Sequence, residues 1–332
     1  NEYIGIPHPE KAKKSENIIR IPVKTCTFAT FLQLYKIMQF QSINKTKGIL
    51  YAAVSSSTFG LAPFFSVMLL NVGFSSFEVL SYRWGIASLT LILFGWLSGC
   101  NFRLNKKDFG TVFLLSLFRA ATSLSLLIAY QNIASGVASI IHFMYPLAVA
   151  MSMILFFHEK RSAWIITAIS MSIVGAILLS SGNIGHGNGS TTLGIISACI
   201  SVFSYGGYII GVRKSRAVQI ESTVLTCYVM GLGALLFIIC GCFTSGIRLV
   251  TEGVTWLYIL GLALPATAIS NITLVKAIKH IGPTLTSIFG AMEPLTAVII
   301  GIVAFKESFT VASAIGIMLI VTAVTIVVCK KK

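Results

Sequence analysis

The chain has 332 residues, 55% of them hydrophobic and only 11% charged, with a mean hydropathy of +0.87. A soluble domain carries about 25% charged residues, so this composition excludes an ordinary water-soluble enzyme and points to a membrane protein. The net charge of +15, from 25 Lys and Arg against 10 Asp and Glu, suggests nucleic acid only until the charges are located along the chain.

Residues 1–46 form a basic tail poor in long apolar runs. Residues 1–24 read as disordered, with Pro7, Pro9 and a Lys11–Lys14 cluster and no cleavable signal pattern. Phe28–Phe40 reads either as a short amphipathic helix on the membrane surface or as part of a floppy tail. From Lys47 onward, apolar segments alternate with short polar connections. Ten segments are long enough to cross about 30 Å of hydrocarbon at about 1.5 Å per residue. They are Gly48–Leu70, Phe77–Gly99, Phe109–Tyr130, Val137–Phe157, Ala163–Ser181, Leu193–Val212, Ser222–Thr244, Val254–Val275, Ile281–Phe305 and Phe309–Cys329. The expected fold is all-α, with ten transmembrane helices. The Gly/Asn/Ser-rich connection Gly182–Thr192 divides residues 47–181 from residues 193–329.

With the amino terminus in the cytoplasm, only Arg248 and Lys306 of the 25 cations fall on the outer side. Arg83 and Arg119 lie within spans, and all the others lie inside. The positive-inside rule accepts this orientation and rejects its inverse, so both termini are expected in the cytoplasm. The basic surplus is a topology signal, and no nucleic-acid partner is expected. The seven cysteines (Cys26, Cys100, Cys199, Cys227, Cys240, Cys242 and Cys329) form no C-x-x-C or Cys/His cluster. That pattern argues against a disulfide framework and a zinc site, and no cofactor is expected. Gly185-His186-Gly187-Asn188-Gly189 follows no strand, so a dinucleotide loop is excluded.

The two halves resemble each other. A shift of 148 positions pairs Ile133/Ile281, Ser139/Ser287, Met144/Met292, Pro146/Pro294, Phe157/Phe305 and Glu159/Glu307 without a gap. A shift of 146 pairs Gly48/Gly194, Ala52/Ala198, Ser55/Ser201 and Gly60/Gly206. Five spans per half is an odd number, so the halves are expected to enter the bilayer in opposite directions. Such an inverted repeat commonly marks secondary transporters with a binding site near the midplane.

Several motifs carry a family likeness. Tyr145-Pro146 and Phe157-His158-Glu159-Lys160-Arg161 precede a span containing Gly175. Their counterparts, Met292-Glu293-Pro294 and Phe305-Lys306-Glu307, precede one containing Gly316, and Arg83 lies early in the second span. The chain from Gly48 to Val328 resembles the EamA family of the drug/metabolite transporter superfamily. The resemblance implies ten helices and export of small metabolites, often amino acids or amphipathic toxic compounds. It also implies a central cavity lined by helices one, three, four, six, eight and nine.

Candidate site residues are those that a lipid-facing helix would not carry. Glu293 leads them, as a ligand for a substrate amine or a proton acceptor, against a packing role between helices. Arg119 reads either as a clamp for a substrate carboxylate or as a fixed partner of Glu293. Arg83 reads chiefly as a tie between helices and second as a ligand. Glu78, five residues earlier, is poorly placed to pair with it and is expected in water. His142 reads first as a packing histidine and second as a proton relay. Tyr145, at the position matching Glu293, reads as an aromatic wall or plain core. Asn271 and Ser270 follow Pro265 as polar cavity candidates, with Thr58, Phe59, Tyr205 and Tyr208 behind them. Glu159 and Glu307 are expected to cap the following helices or pair with lysines. Gly207-x-x-x-Gly211 permits a close helix approach without requiring dimerisation.

The expected function is secondary transport across the plasma membrane by alternating access, and not catalysis. The expected partners are a small-molecule substrate, the lipid bilayer and protons, with a monomer favoured. The alternative is a sugar-phosphate or nucleotide-sugar carrier of the same fold, whose substrates call for several cavity cations where only Arg119 and Arg83 are available. A membrane-embedded lipid-modifying enzyme needs clustered His/Asp that the sequence lacks.

Overall fold

The computed structural model describes residues 3–7, 18–22, 28–133, 135–159, 162–180, 189–244, 246–305 and 310–329. It divides into two units, Asn1–Lys47 and Gly48–Lys332.

In the first unit, Tyr3–Pro7 (β1) and Ile18–Pro22 (β2) pair antiparallel, with Gly5 opposite Arg20. Sequence reading expects disorder over residues 1–24. The isoleucines Ile4, Ile6, Ile18, Ile19 and Ile21 favour the extended chain, and Pro7 and Pro22, lacking a donor, end the ladder. The expected surface helix Phe28–Phe40 lies within one longer helix, Phe28–Phe59 (α1).

Every element of the second unit is helical. After α1 come Ala62–Asn71 (α2), Ser76–Leu97 (α3), Lys106–Asn132 (α4), Ser135–His142 (α5), Tyr145–Phe157 (α6) and Ala163–Ser180 (α7). Then follow Thr191–Lys214 (α8), Ser222–Phe243 (α9), Gly253–Ala263 (α10), a π-helical turn Leu264–Ile269, and Ser270–Ile281 (α11). Pro283–Phe289 (α12), Met292–Phe305 (α13) and Val311–Cys329 (α14) complete the order.

Among the described residues seven stretches are long and apolar enough to cross a membrane, the last of them Gly253–Ile281. Ala163–Leu178 and Ala314–Ile326 are shorter apolar helices, so helix length alone does not yield the expected ten. Phe156, Phe203 and Phe243 are exposed along these helices, as suits side chains facing hydrocarbon rather than water.

Local chemistry sets the breaks. Pro63, Pro146 and Pro294 each fall in the first turn of a new helix (α2, α6 and α13), where the missing N–H costs nothing. Apolar runs that read as unbroken spans are therefore interrupted at residues 60–61, 143–144 and 290–291. The eighth span runs on to Ile281 and the ninth starts at Pro283, because Gly282 between them takes φ +84°, a left-handed conformation open to glycine.

The most extensive helix pairs are α3 with α9, α4 with α8, and α7 with α14. Small residues bring them together. Gly207 meets the Phe118 ring and Gly211 meets Leu115, so Gly207-x-x-x-Gly211 serves contact within the chain. Gly175 faces the Gly316 carbonyl and Ile320. Gly48 abuts Ile281, and its counterpart Gly194 abuts the matching residue Ile133.

Gly233 lies so close to the Trp84 indole that a Cβ there would overlap the ring. Trp84 is fully buried and meets Phe237 edge-on at 5.2 Å, so it has no way to yield. Gly233→Ala is expected to cost about 1–3 kcal/mol by overpacking, read as a lower thermal midpoint in detergent. An unchanged midpoint would refute this tight α3–α9 crossing.

Glu78 is buried, not solvated as the sequence suggested. With Ser75 it closes a capping box at the start of α3, accepting from the Ser75 N–H at 2.8 Å. It also pairs with Arg248 at 3.0 Å. Arg248 donates to the Gly73 carbonyl as well, lies 4.3 Å from the Phe74 ring centroid, and accepts from the Tyr82 hydroxyl through its carbonyl. The sequence hid this clasp because 170 positions separate the two partners.

At the start of α9, Glu221 accepts from the Val224 N–H at 2.9 Å and the Thr223 hydroxyl at 3.1 Å. Partial burial pushes its carboxyl up, but these bonds and the Lys279 charge outweigh it and hold the carboxyl below its usual range. Lys279 donates to the Ile220 carbonyl, and Arg213 of α8 donates to the Lys279 carbonyl at 2.6 Å. This end of α8, α9 and α11 is thereby tied together.

Candidate functional site

Arg119 sits in the middle of α4, 1% exposed. Its Nε donates to Asn271 Oδ1 at 2.9 Å, and a terminal nitrogen donates to Ser123 Oγ, one turn on, at 3.4 Å. Three rings surround the guanidinium, with centroids 5.3 Å (Phe59), 5.1 Å (Tyr205) and 5.9 Å (Tyr208) away. Cation–π contact stabilises a desolvated arginine by about 2 kcal/mol. Among the described residues no ion pair joins Arg119 to Glu293, so the fixed salt bridge considered from sequence is absent. Asn271 is what the sequence could not pair with Arg119: the two lie 152 positions apart.

The π-helical turn positions this partner. Pro265 lies in it without an N–H to give, and the wider turn carries Thr267 and then Asn271 toward the arginines. The Asn271 amide donates to the Thr267 carbonyl at 2.7 Å, which leaves its oxygen for Arg119. The Thr267 hydroxyl donates to the Leu262 carbonyl and accepts from Arg83 Nε at 2.6 Å. Arg83 is thus drawn into the same cluster, with its guanidinium 5.6 Å from the Phe59 ring that Arg119 also approaches. One Arg83 terminal nitrogen is buried without a partner.

On the other side stand His142, Tyr145 and Glu293. Tyr145 donates to Glu293 Oε1 at 3.4 Å, and its ring meets Tyr205 edge-on at 4.6 Å. A Cβ at Gly60 would overlap the Glu293 carbonyl, and one at Gly290 would overlap the Tyr145 hydroxyl. His142 stacks on Tyr205 at 5.4 Å, and its Nδ1 lies 2.8 Å from Ser201 Oγ. The Ser201 proton already goes to the Ala198 carbonyl at 2.6 Å. Nδ1 is therefore the donor to Ser201, and in a neutral ring the unpartnered Nε2 presents a lone pair.

All six leading candidates (Glu293, Arg119, Tyr145, Asn271, His142 and Arg83) fall into this one buried cluster, with Phe59, Tyr205 and Tyr208 as its walls. Ser270 and Thr58 do not join through their side chains: the Ser270 carbonyl accepts from Ser55, and the Thr58 hydroxyl bonds back along α1. Sequence reading missed Thr267, Ser201 and Ser123, whose hydroxyls resemble any others in an apolar run. The position of Thr267 two residues after Pro265 was the only available signal. Glu159 accepts from Thr284 at 2.7 Å and so ties the end of α6 to α12. Glu307 lies outside the described residues.

The model of the EamA-like transporter family matches residues 46–181 and 192–329. An uncharacterized transporter of Archaeoglobus fulgidus is 26% identical over 269 residues, covering 79% of this chain and 90% of that protein. The uncharacterized inner membrane transporter YicL of Salmonella typhimurium is 24% identical over 250 residues, covering 73% of this chain and 81% of its own. A solved crystal structure, 17% identical in sequence, superposes with a TM-score of 0.72 over 86% of this chain and 96% of its own. It shares the fold.

Proposed function

Because the chain belongs to the EamA-like transporter family, and is therefore a multi-pass membrane transporter, we propose that it exports a small zwitterionic or amphipathic metabolite across the plasma membrane by alternating access. The observation that carries the reading is Arg119: a fully buried cation held by an amide, a hydroxyl and three rings, with no carboxylate paired to it among the described residues. Leaving a buried charge unpaired is costly, and a substrate carboxylate accepting two guanidinium N–H bonds supplies the missing partner. Glu293, across the Tyr145–Tyr205 pair, receives the substrate amine, or a proton when the site is empty.

Ten helices in two inverted halves are the architecture that makes this work. The matched contacts Gly48–Ile281 and Gly194–Ile133, and the meeting of matched residues Tyr145 and Glu293, support that duplication. Both termini face the cytoplasm on the distribution of Lys and Arg. The name of the Salmonella relative supports the inner membrane.

The test is substrate counterflow in proteoliposomes carrying the purified chain. Vesicles loaded with one of a panel of small zwitterions, acids and amphipathic cations are expected to take up labelled compound transiently, and empty vesicles are not. Binding by the protein without any counterflow across the panel would assign it a receptor role instead.

A further inference from the structure

Four charged side chains among the described residues are more than nine-tenths buried: Glu78, Arg83, Arg119 and Glu293. Arg248 neutralises Glu78 in the first turn of α3. What remains at the site is two cations and one acid. Both guanidiniums lie within 6 Å of the Phe59 ring centroid. A simple zwitterion satisfies Arg119 and Glu293 and leaves Arg83 with one neutral bond to Thr267, a ring contact and an unpartnered terminal nitrogen. Buried donors of this kind are rare unless something fills them.

Resting on the site reading above, we infer that the preferred substrate carries two acidic groups and one ammonium, the second acid being held by Arg83. The ammonium faces Glu293 and the His142 Nε2 lone pair, both of which accept hydrogen bonds. One acid group lies against Arg119. The other, a carboxylate, sulfonate or phosphonate, takes the free terminal N–H of Arg83. With this occupant the centre is electrically neutral. Arg83 is then a specificity-determining residue, more than a tie between α3 and the π-helical turn.

The experiment compares isosteric pairs in proteoliposome counterflow, such as glutamate with glutamine and aspartate with asparagine, in which only the second acid becomes an amide. In the unaltered protein the acid member is expected to compete at least tenfold better. In Arg83→Gln that ratio falls to about one, and Arg83→Lys restores part of it, because an ammonium supplies the charge without the planar fork. The wild-type comparison stands even if the variants fail to fold. Equal or better competition by the amides in the wild type overturns the inference, as does an acid preference that survives in Arg83→Gln. Either result leaves a zwitterion transporter standing. Counterflow by no zwitterion and no acidic compound overturns this inference and the transporter site together.

Discussion

Arg119→Gln is expected to remove counterflow almost completely, by about a hundredfold, while the protein remains folded and at least as stable. A hydrogen bond to a charged group contributes about 1.5–3 kcal/mol, and two to one carboxylate account for the loss at about tenfold per 1.4 kcal/mol. Stability moves the other way because the arginine is buried with no ion-pair partner among the described residues, and exchanging such a charge for a neutral side chain relieves desolvation. The glutamine amide can still donate to Asn271 Oδ1, so the polar partner is not stranded. Arg119→Lys is expected to rescue little, since an ammonium cannot offer a planar pair of donors or stack among Phe59, Tyr205 and Tyr208. The combination separates function from architecture: a packing arginine would lower the thermal midpoint when removed. A folded Arg119→Gln protein retaining counterflow within threefold of wild type would remove Arg119 from the site.

Glu293→Gln is expected to separate exchange from accumulation. The side chain keeps its shape and still accepts from the Tyr145 hydroxyl, and the Gly60 contact involves only the Glu293 backbone. Substrate therefore still exchanges across the bilayer, though more weakly where its ammonium has lost a negative partner. What disappears is a group that can bind a proton on one side and release it on the other. One unit of pH difference is worth about 1.4 kcal/mol per proton, which sustains about tenfold accumulation in a one-proton carrier. The variant should hold a ratio of about one under the same gradient. Accumulation that persists in Glu293→Gln at every imposed pH difference would exclude Glu293 as the coupling group.

That the chain is a helical membrane transporter was legible because hydropathy responds to the bilayer directly. The starts of α3 at Ser75 and α8 at Ser190 carry ordinary capping residues within a few positions of the expected spans. The breaks before Ala62, Tyr145 and Met292 were less legible. An apolar run hides an interruption that a proline in the next turn alone announces. Hydropathy also could not show that Leu264–Ile269 widens into a π-helical turn, which is what sends Thr267 and Asn271 to two arginines more than 150 positions away. Sequence singled out Glu293, Arg119 and His142 as residues too polar for lipid, but their partners are decided by helix packing. Glu78 shows the limit best, since nothing near it in the chain predicts burial against Arg248.

Tyr145 and Glu293 stand 148 positions apart, at the same place in each half, and they touch. A position that meets its own counterpart cannot hold the same ionised group twice: two carboxylates so close would force one to keep a proton permanently. If the chain arose from a doubled ancestral gene, this is the point where the copies had to diverge first. The second half carries an acid there, and the first a phenol that donates to it. The same contact predicts that Tyr145→Glu, which would restore the repetition, loses the donated bond to Glu293 unless one of the two carboxyls stays protonated.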